Sequence, residues 1–203
     1  MFPMGHAVKA LRTLSAGEYL AWEETQRERH ELVEGVPHAM AGASRVHNLL
    51  VGNLYALLRP LARARGCRLY SETVKLRIGE STFYYPDLML VCAGDPPHAY
   101  YEDQPCLLIE VVSQATEVID RREKLSRYLG IQSLQGYLLV DSRTRKVEGF
   151  LRRGEGWVYA LWEGVQGKTI EVPCLGIHIS MGQIYEDTGI PEDTGGQLKT
   201  DQI

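Results

Sequence analysis

Two carboxylates stand in this chain where carboxylates are costly. Asp87 lies within the run Phe83-Tyr-Tyr-Pro-Asp-Leu-Met-Leu-Val91 and Glu110 within Cys106-Leu-Leu-Ile-Glu-Val-Val112. An ionised carboxylate in an apolar interior must be compensated by a cation or by hydrogen bonds. A basic candidate, Lys124, follows in Asp120-Arg-Arg-Glu-Lys124. Residues two apart on a strand share a face, so Glu110 goes with Leu108 and Val112, and Asp87 with Met89 and Val91. If the two strands are neighbours in register, both carboxylates converge. Two like charges that close repel unless a divalent cation sits between them. Mg²⁺ (or Mn²⁺ as a substitute) suits such a site, because it takes one or two carboxylates and keeps several waters. Bound there, it would lower the pKa of an attacking water and stabilise charge on a scissile phosphate. A lysine amine beside it could orient that water or neutralise the transition state. Acid, acid and lysine in this order point to metal-dependent phosphodiester chemistry.

Each residue also has a plainer role. Asp87 could be a strand-end aspartate beside Pro86, which tolerates only edge or strand-start positions. Glu110 could be a core glutamate paired with arginine. Lys124, four residues after Asp120 on a helix, could be an ordinary solvated pair. Glu31 could be a hairpin carboxylate, and Glu34 reads as a turn residue. For His47, near a helix start and beside an apolar stripe, a structural histidine is preferred to a ligand or base. His30, His38 and His178 show no metal spacing, and Trp157 and Trp162 read as core or dimer surface.

The elements that must position these residues are legible from periodicity and punctuation. Ser15-Ala-Gly-Glu18 is a capping box that starts a helix running to about Gln26. Two short runs, His30–Val33 and Val36–Met40, flank Glu34-Gly35 as a hairpin. Val46, Leu49, Leu50, Leu54, Leu57, Leu58 and Leu61 form the buried stripe of a long helix. Ser44 is its N-cap, and Pro60 should kink or end it before Gly66. Strands are expected over Arg68–Ile78, Phe83–Cys92, Leu107–Val112 and Gly136–Asp141, with a turn at Gly79-Glu80-Ser81. A helix is expected over Asp120–Ile131, and a hairpin of Lys146–Leu151 with Trp157–Trp162. The layout is α+β, a mixed sheet flanked by helices in a single domain.

A chain of 203 residues is large enough for one sizeable core. Residues 1–13 read as an N-terminal extension, 14–185 as the domain and 186–203 as a polar tail. No segment approaches the roughly 20 apolar residues of a membrane span, and the N-terminus has no secretory hydrophobic core. The four cysteines are scattered without a Cys-x-x-Cys pair, so buried free thiols in a reducing cytoplasm are expected. The net charge of −4 argues against nucleic-acid binding by bulk electrostatics but leaves room for a local basic groove. Basic clusters at Arg59–Arg68, Arg121-Arg122 and Arg143–Arg153 read as solvated faces more readily than as DNA contacts.

Pro86-Asp87, Glu110-Val111-Val112 and Lys124 together resemble the PD-(D/E)XK nuclease pattern with one change: the position two after the acid, normally lysine, is Val112. More closely, the chain resembles the Uma-two family of candidate restriction endonucleases. The matching stretches are Glu31-Leu-Val-Glu-Gly35, Met40–His47, Tyr85-Pro-Asp87, Ile109-Glu-Val-Val-Ser113, Asp120-Arg-Arg-Glu-Lys-Leu125 with Tyr128, and Tyr137-Leu-Leu-Val-Asp141. The similarity runs from about Leu14 to Tyr185. It implies a restriction-endonuclease-like fold with Asp87, Glu110 and Lys124 as the active site and Glu31 as an accessory acid near the metal. Where the family follows its glutamate with Ser-Pro-Ser-Thr, this chain has Ser113-Gln-Ala-Thr116, without the stiffening proline.

The expected function is a cytoplasmic Mg²⁺-dependent endonuclease acting on DNA, with metal at Asp87, Glu110 and Glu31 and with Lys124 positioning water. A compact nuclease that must span a duplex suggests a homodimer. Two rivals remain: a non-catalytic nucleic-acid-binding or assembly module on a nuclease scaffold, and a metal phosphoesterase acting on small nucleotides.

Overall fold

The structure, a computed structural model, describes residues 13–40, 42–113, 119–164 and 168–192. Residues 1–12 of the N-terminal extension, the loop from Gln114 to Thr116 and the tail beyond residue 192 lie outside the described residues. In chain order the elements are α1 (Ala16–Glu23), β1 (His30–Val33), β2 (Val36–Ala39), α2 (Arg45–Ala64), β3 (Arg68–Ser71), β4 (Lys75–Ile78), β5 (Thr82–Tyr84), β6 (Leu88–Val91), β7 (Tyr101–Glu102) and β8 (Leu107–Val112). A π-helical segment, Ile119–Lys124, then leads into α3 (Leu125–Tyr128), β9 (Gly136–Asp141), β10 (Lys146–Arg153), β11 (Gly156–Glu163), β12 (Thr169–Val172), β13 (Ile177–Ser180) and α4 (Met181–Ile184). The architecture is α+β, with mixed sheets and few helices. No helix among the described residues is long and apolar enough to cross a membrane.

Two compact units are distinguished, Met1–Ala41 with Arg77–Tyr84, and Gly42–Leu76 with Tyr85–Ile203. In the first, the expected capping box forms: Ser15 accepts from the Glu18 amide, and the Glu18 carboxylate accepts from the Ser15 amide. The β1–β2 hairpin turns at Glu34 (φ 50°) and Gly35 (φ 84°), the pair of positive φ angles that matches the twist of the flanking strands. Strand β1 also meets β5 at Leu32 and Phe83. Tyr19 packs on Phe83, and its hydroxyl donates to the His30 carbonyl.

The second unit is built on a six-stranded sheet in the order β11-β10-β9-β8-β6-β3. Strands β8 and β9 are parallel, and the other neighbours are antiparallel. Leu88, Leu90, Leu107, Ile109, Val111, Leu138 and Val140 belong to one core with Leu50, Val51, Leu54, Leu58 and Ala62 of α2. The alternate residues of β8 and β9 are buried as well. Cover on both faces explains why these strands read as continuous apolar runs rather than alternating ones.

The differences from expectation have local causes. The run 68–78 is two strands, because Glu72 takes a left-handed backbone (φ 50°) and breaks it. The run 83–92 is also two, interrupted at Tyr85-Pro86-Asp87, where proline offers no amide to a ladder. Helix α2 runs through Pro60 and stops at Ala64, before Gly66 (φ 69°). Strands β12 and β13 and helix α4 carry no expectation from sequence.

The cysteines correct a further expectation. They are not free thiols: Cys67 bonds Cys92, and Cys106 bonds Cys174. Arg68 pairs with Val91 in the β3–β6 ladder, so Cys67 and Cys92 form its next rung. Sequence spacing could not show this, because the pairing depends on how the strands fold together.

Candidate active site

The register of three adjacent strands brings the acids together. In the β3–β6 ladder Ser71 faces Leu88, and the Glu72 amide donates to the Asp87 carbonyl at 3.2 Å, continuing it by one rung. In the β6–β8 ladder Leu88 faces Ile109, and the next rung joins Asp87 to Glu110. There the Asp87 amide approaches Glu110 Oε2 at 3.4 Å, and the Val111 amide donates to Asp87 Oδ2 at 2.7 Å. Glu72, Asp87 and Glu110 thus stand side by side across β3, β6 and β8. This is the convergence the sequence predicts for Asp87 and Glu110.

The lysine arrives from the helical side. The π-helical segment carries Asp120 and Lys124, both buried, and Lys124 Nζ lies 3.2 Å from Glu110 Oε1 and 3.3 Å from Asp120 Oδ1. Single π turns are often found at functional sites. Lys124 is therefore not a solvated surface residue, although its pairing with Asp120 at i, i+4 is present. One helical turn on, the Tyr128 hydroxyl donates to the same Glu110 oxygen at 2.9 Å, and its ring meets Tyr137 edge-on. Glu110 is 3% exposed, so its charge is compensated by a buried ammonium and a hydroxyl rather than by water. Burial, followed by the charges of Glu110 and Asp120, pushes the Tyr137 hydroxyl well above its ordinary pKa.

On the other side of Asp87 stands His47, in the first turn of α2, its amide capped by the Ser44 hydroxyl. Its Nε2 lies 3.1 Å from Asp87 Oδ2. Burial works to lower the His47 pKa. The hydrogen bond to Asp87 and the charges of Asp87, Glu72 and Asp120 outweigh it and raise the pKa above its ordinary value. Nδ1 of His47 is buried and has no hydrogen-bond partner among the described residues. One ligand atom each from His47, Glu72 and Asp87 lie within 4.8 Å of one another, close enough to hold a metal ion.

Sequence reasoning set His47 aside as structural, gave no role to Glu72, and placed Asp120 only as a pairing partner of Lys124 and Tyr128 only in a family-like stretch, neither of them at the site. The spacing of Tyr128 four residues after Lys124 is the signal that could have found it, since such residues share a helix face. Glu31 is half-buried on β1, opposite His38, in the first unit. Several arginines of the basic clusters are held by intramolecular partners: Arg68 by Glu102, Arg121 by Glu148, and Arg152 by the Leu134 and Ile131 carbonyls.

Residues 16–182 match the model of the Uma2 family, described as "Putative restriction endonuclease". Uncharacterized protein slr1290 of Synechocystis sp. is 31% identical over 175 residues, which is 85% of this chain and 91% of that one. Uncharacterized protein sll1609 of the same organism is 33% identical over 153 residues, 73% of this chain and 86% of its own. The crystal structure of a putative nuclease belonging to DUF820 from Anabaena variabilis matches with a TM-score of 0.70 at 15% identity. It covers 85% of this chain and 97% of that one, a likeness of fold.

Proposed function

The chain belongs to the Uma2 family, and on that premise we propose that it is a divalent-metal-dependent endonuclease that hydrolyses phosphodiester bonds in DNA. The observation that carries this reading is the juxtaposition of Asp87 and Glu110 on one rung, with Lys124 against Glu110. The donor set fits a divalent cation, since the Asp87 and Glu110 carboxylates meet on one rung, with Glu72 and the half-buried His47 imidazole beside Asp87. Asp87 and Glu110 would hold the metal, which when bound lowers the pKa of a water and neutralises charge on the phosphate.

The chain's own residues supply the rest. The Val111 amide fixes Asp87, so its carboxylate is already oriented before substrate arrives. Lys124 and Tyr128 hold Glu110 Oε1 in place. The Lys124 ammonium is positioned to donate to an attacking water or to a phosphate oxygen that gains charge. Burial of this group on a sheet covered on both faces keeps the local dielectric low and strengthens those interactions.

The test is cleavage of supercoiled and linear DNA with Mg²⁺ or Mn²⁺. Asp87→Asn is expected to abolish metal-dependent cleavage while preserving the circular-dichroism spectrum. An unchanged rate in that variant would overturn the assignment.

A further inference from the structure

We propose that His47 and Glu72 are ligands of the cation at Asp87, and that the imidazole makes this site prefer a borderline transition metal, Co²⁺ in the test below, to Mg²⁺. The proposal rests on the reading of Asp87 as a metal ligand given above. It assigns two residues that neither the acid–acid–lysine pattern nor the strand periodicity selects.

Three observations carry it. The first is position. Glu72 and Asp87 share a backbone rung, and His47 reaches Asp87 from α2, so donors from three separate elements meet within 4.8 Å. The second is conformation. Glu72 is held at φ 50°, a left-handed backbone that a residue with a side chain seldom adopts. Such outliers persist where the surroundings over-determine them, and they cluster at ligand sites. The third is partnering. Asp87 Oδ2 accepts from the Val111 amide and faces His47 Nε2 at 3.1 Å, so the half-buried imidazole turns a ring nitrogen toward the carboxylate. A histidine that only docked α2 onto the sheet would need its contact with Asp87 and nothing from Glu72.

The metal preference follows from ligand chemistry. Mg²⁺ takes oxygen ligands and gives up water reluctantly. Imidazole favours the later first-row divalent ions, which bind nitrogen more strongly along the series from Mn²⁺ through Co²⁺. A site that adds an imidazole to its carboxylates therefore ranks Co²⁺ above Mg²⁺, where an all-carboxylate site would separate them less.

The experiment is metal titration of the full chain, with no DNA present. Co²⁺ binding is followed by its visible absorption, and Mg²⁺ binding by competition against Co²⁺. Co²⁺ is expected to bind at least about tenfold more tightly than Mg²⁺. His47→Gln and Glu72→Gln should each weaken Co²⁺ about tenfold or more, and His47→Gln should shift the absorption bands and narrow the gap to Mg²⁺. Thermal melts establish that each variant is folded, and Glu72→Gln keeps the test decisive should His47→Gln fail to fold. If Co²⁺ binds either folded variant as it binds the wild type, the proposal is overturned. Asp87→Asn separates the two claims. Loss of metal in that variant alone would sink the His47–Glu72 assignment and leave the Asp87 reading standing. Retention of metal in Asp87→Asn would overturn both.

Discussion

Lys124 reaches Glu110 from an element other than the strand that carries the glutamate. Val112 occupies the place two residues beyond Glu110, on the same face of β8 and fully buried. The amine instead comes from the π-helical segment and reaches the same carboxylate at 3.2 Å. Lys124→Ala should reduce cleavage by about two orders of magnitude if its ammonium stabilises the reacting phosphate. It should also destabilise the fold by about 3–5 kcal/mol, because Glu110 and Asp120 lose a buried counter-charge. Adding Val112→Lys should restore part of both losses, read as plasmid cleavage rate and as the urea midpoint. If the double variant is no faster than Lys124→Ala, the two amines do not serve one site. Asp87, Glu110 and Lys124 are legible in the sequence because charges set in or beside apolar runs demand an explanation. Glu72 is not, because an acid in Ser71-Glu72-Thr73 looks like any polar break. Only the ladder places it against Asp87.

At the scale of elements, β8 and β9 have the bounds expected from their apolar runs, and both α1 and α2 begin at the expected caps. These features are local, fixed by side-chain pattern and a hydroxyl placed to meet free amides. The broken strands are less legible. Periodicity reports which residues are apolar, not whether the backbone between them turns left-handed, as it does at Glu72. The β1–β2 hairpin is the strictest turn in the first unit. A Cβ added at Gly35 would meet Thr13 Cβ at 2.9 Å and the Leu14 carbonyl oxygen at 3.2 Å, at a φ of 84°. Gly35→Ala should therefore cost about 1–2 kcal/mol from backbone conformation alone, and more where Thr13 cannot yield. A thermal melt unchanged from the wild type would contradict the turn as described.

For the whole molecule, the two disulfides constrain chain segments of very different length, 25 residues for Cys67–Cys92 and 68 for Cys106–Cys174. Loop-closure entropy predicts that removing the longer link costs more, roughly 4–5 kcal/mol against roughly 3–4 kcal/mol. Paired Cys→Ser variants compared by urea denaturation would check both the magnitudes and their order. Equal stability of both double variants to the wild type would mean that the cysteines are not bonded in solution. The fold class was accessible from sequence, because element types and their order are enough to imply α+β. The cysteine pairing and the β12–β13 pair were not, since each depends on which distant segments the topology makes neighbours.

The β3–β6 ladder has a covalent rung at one end, Cys67–Cys92, and the Glu72–Asp87 rung at the other. Cys67 and Glu72 lie five positions apart in the chain, as do Asp87 and Cys92. The two strands are therefore locked in step, like two rulers pinned at one mark. Inserting or deleting one codon in either segment slides one acid off the other and turns its side chain to the opposite face. The same change made in both strands restores the match. Length variation among descendants of this sequence should thus be absent between those marks or occur in pairs, while the β10–β11 turn at Gly154 is free to grow.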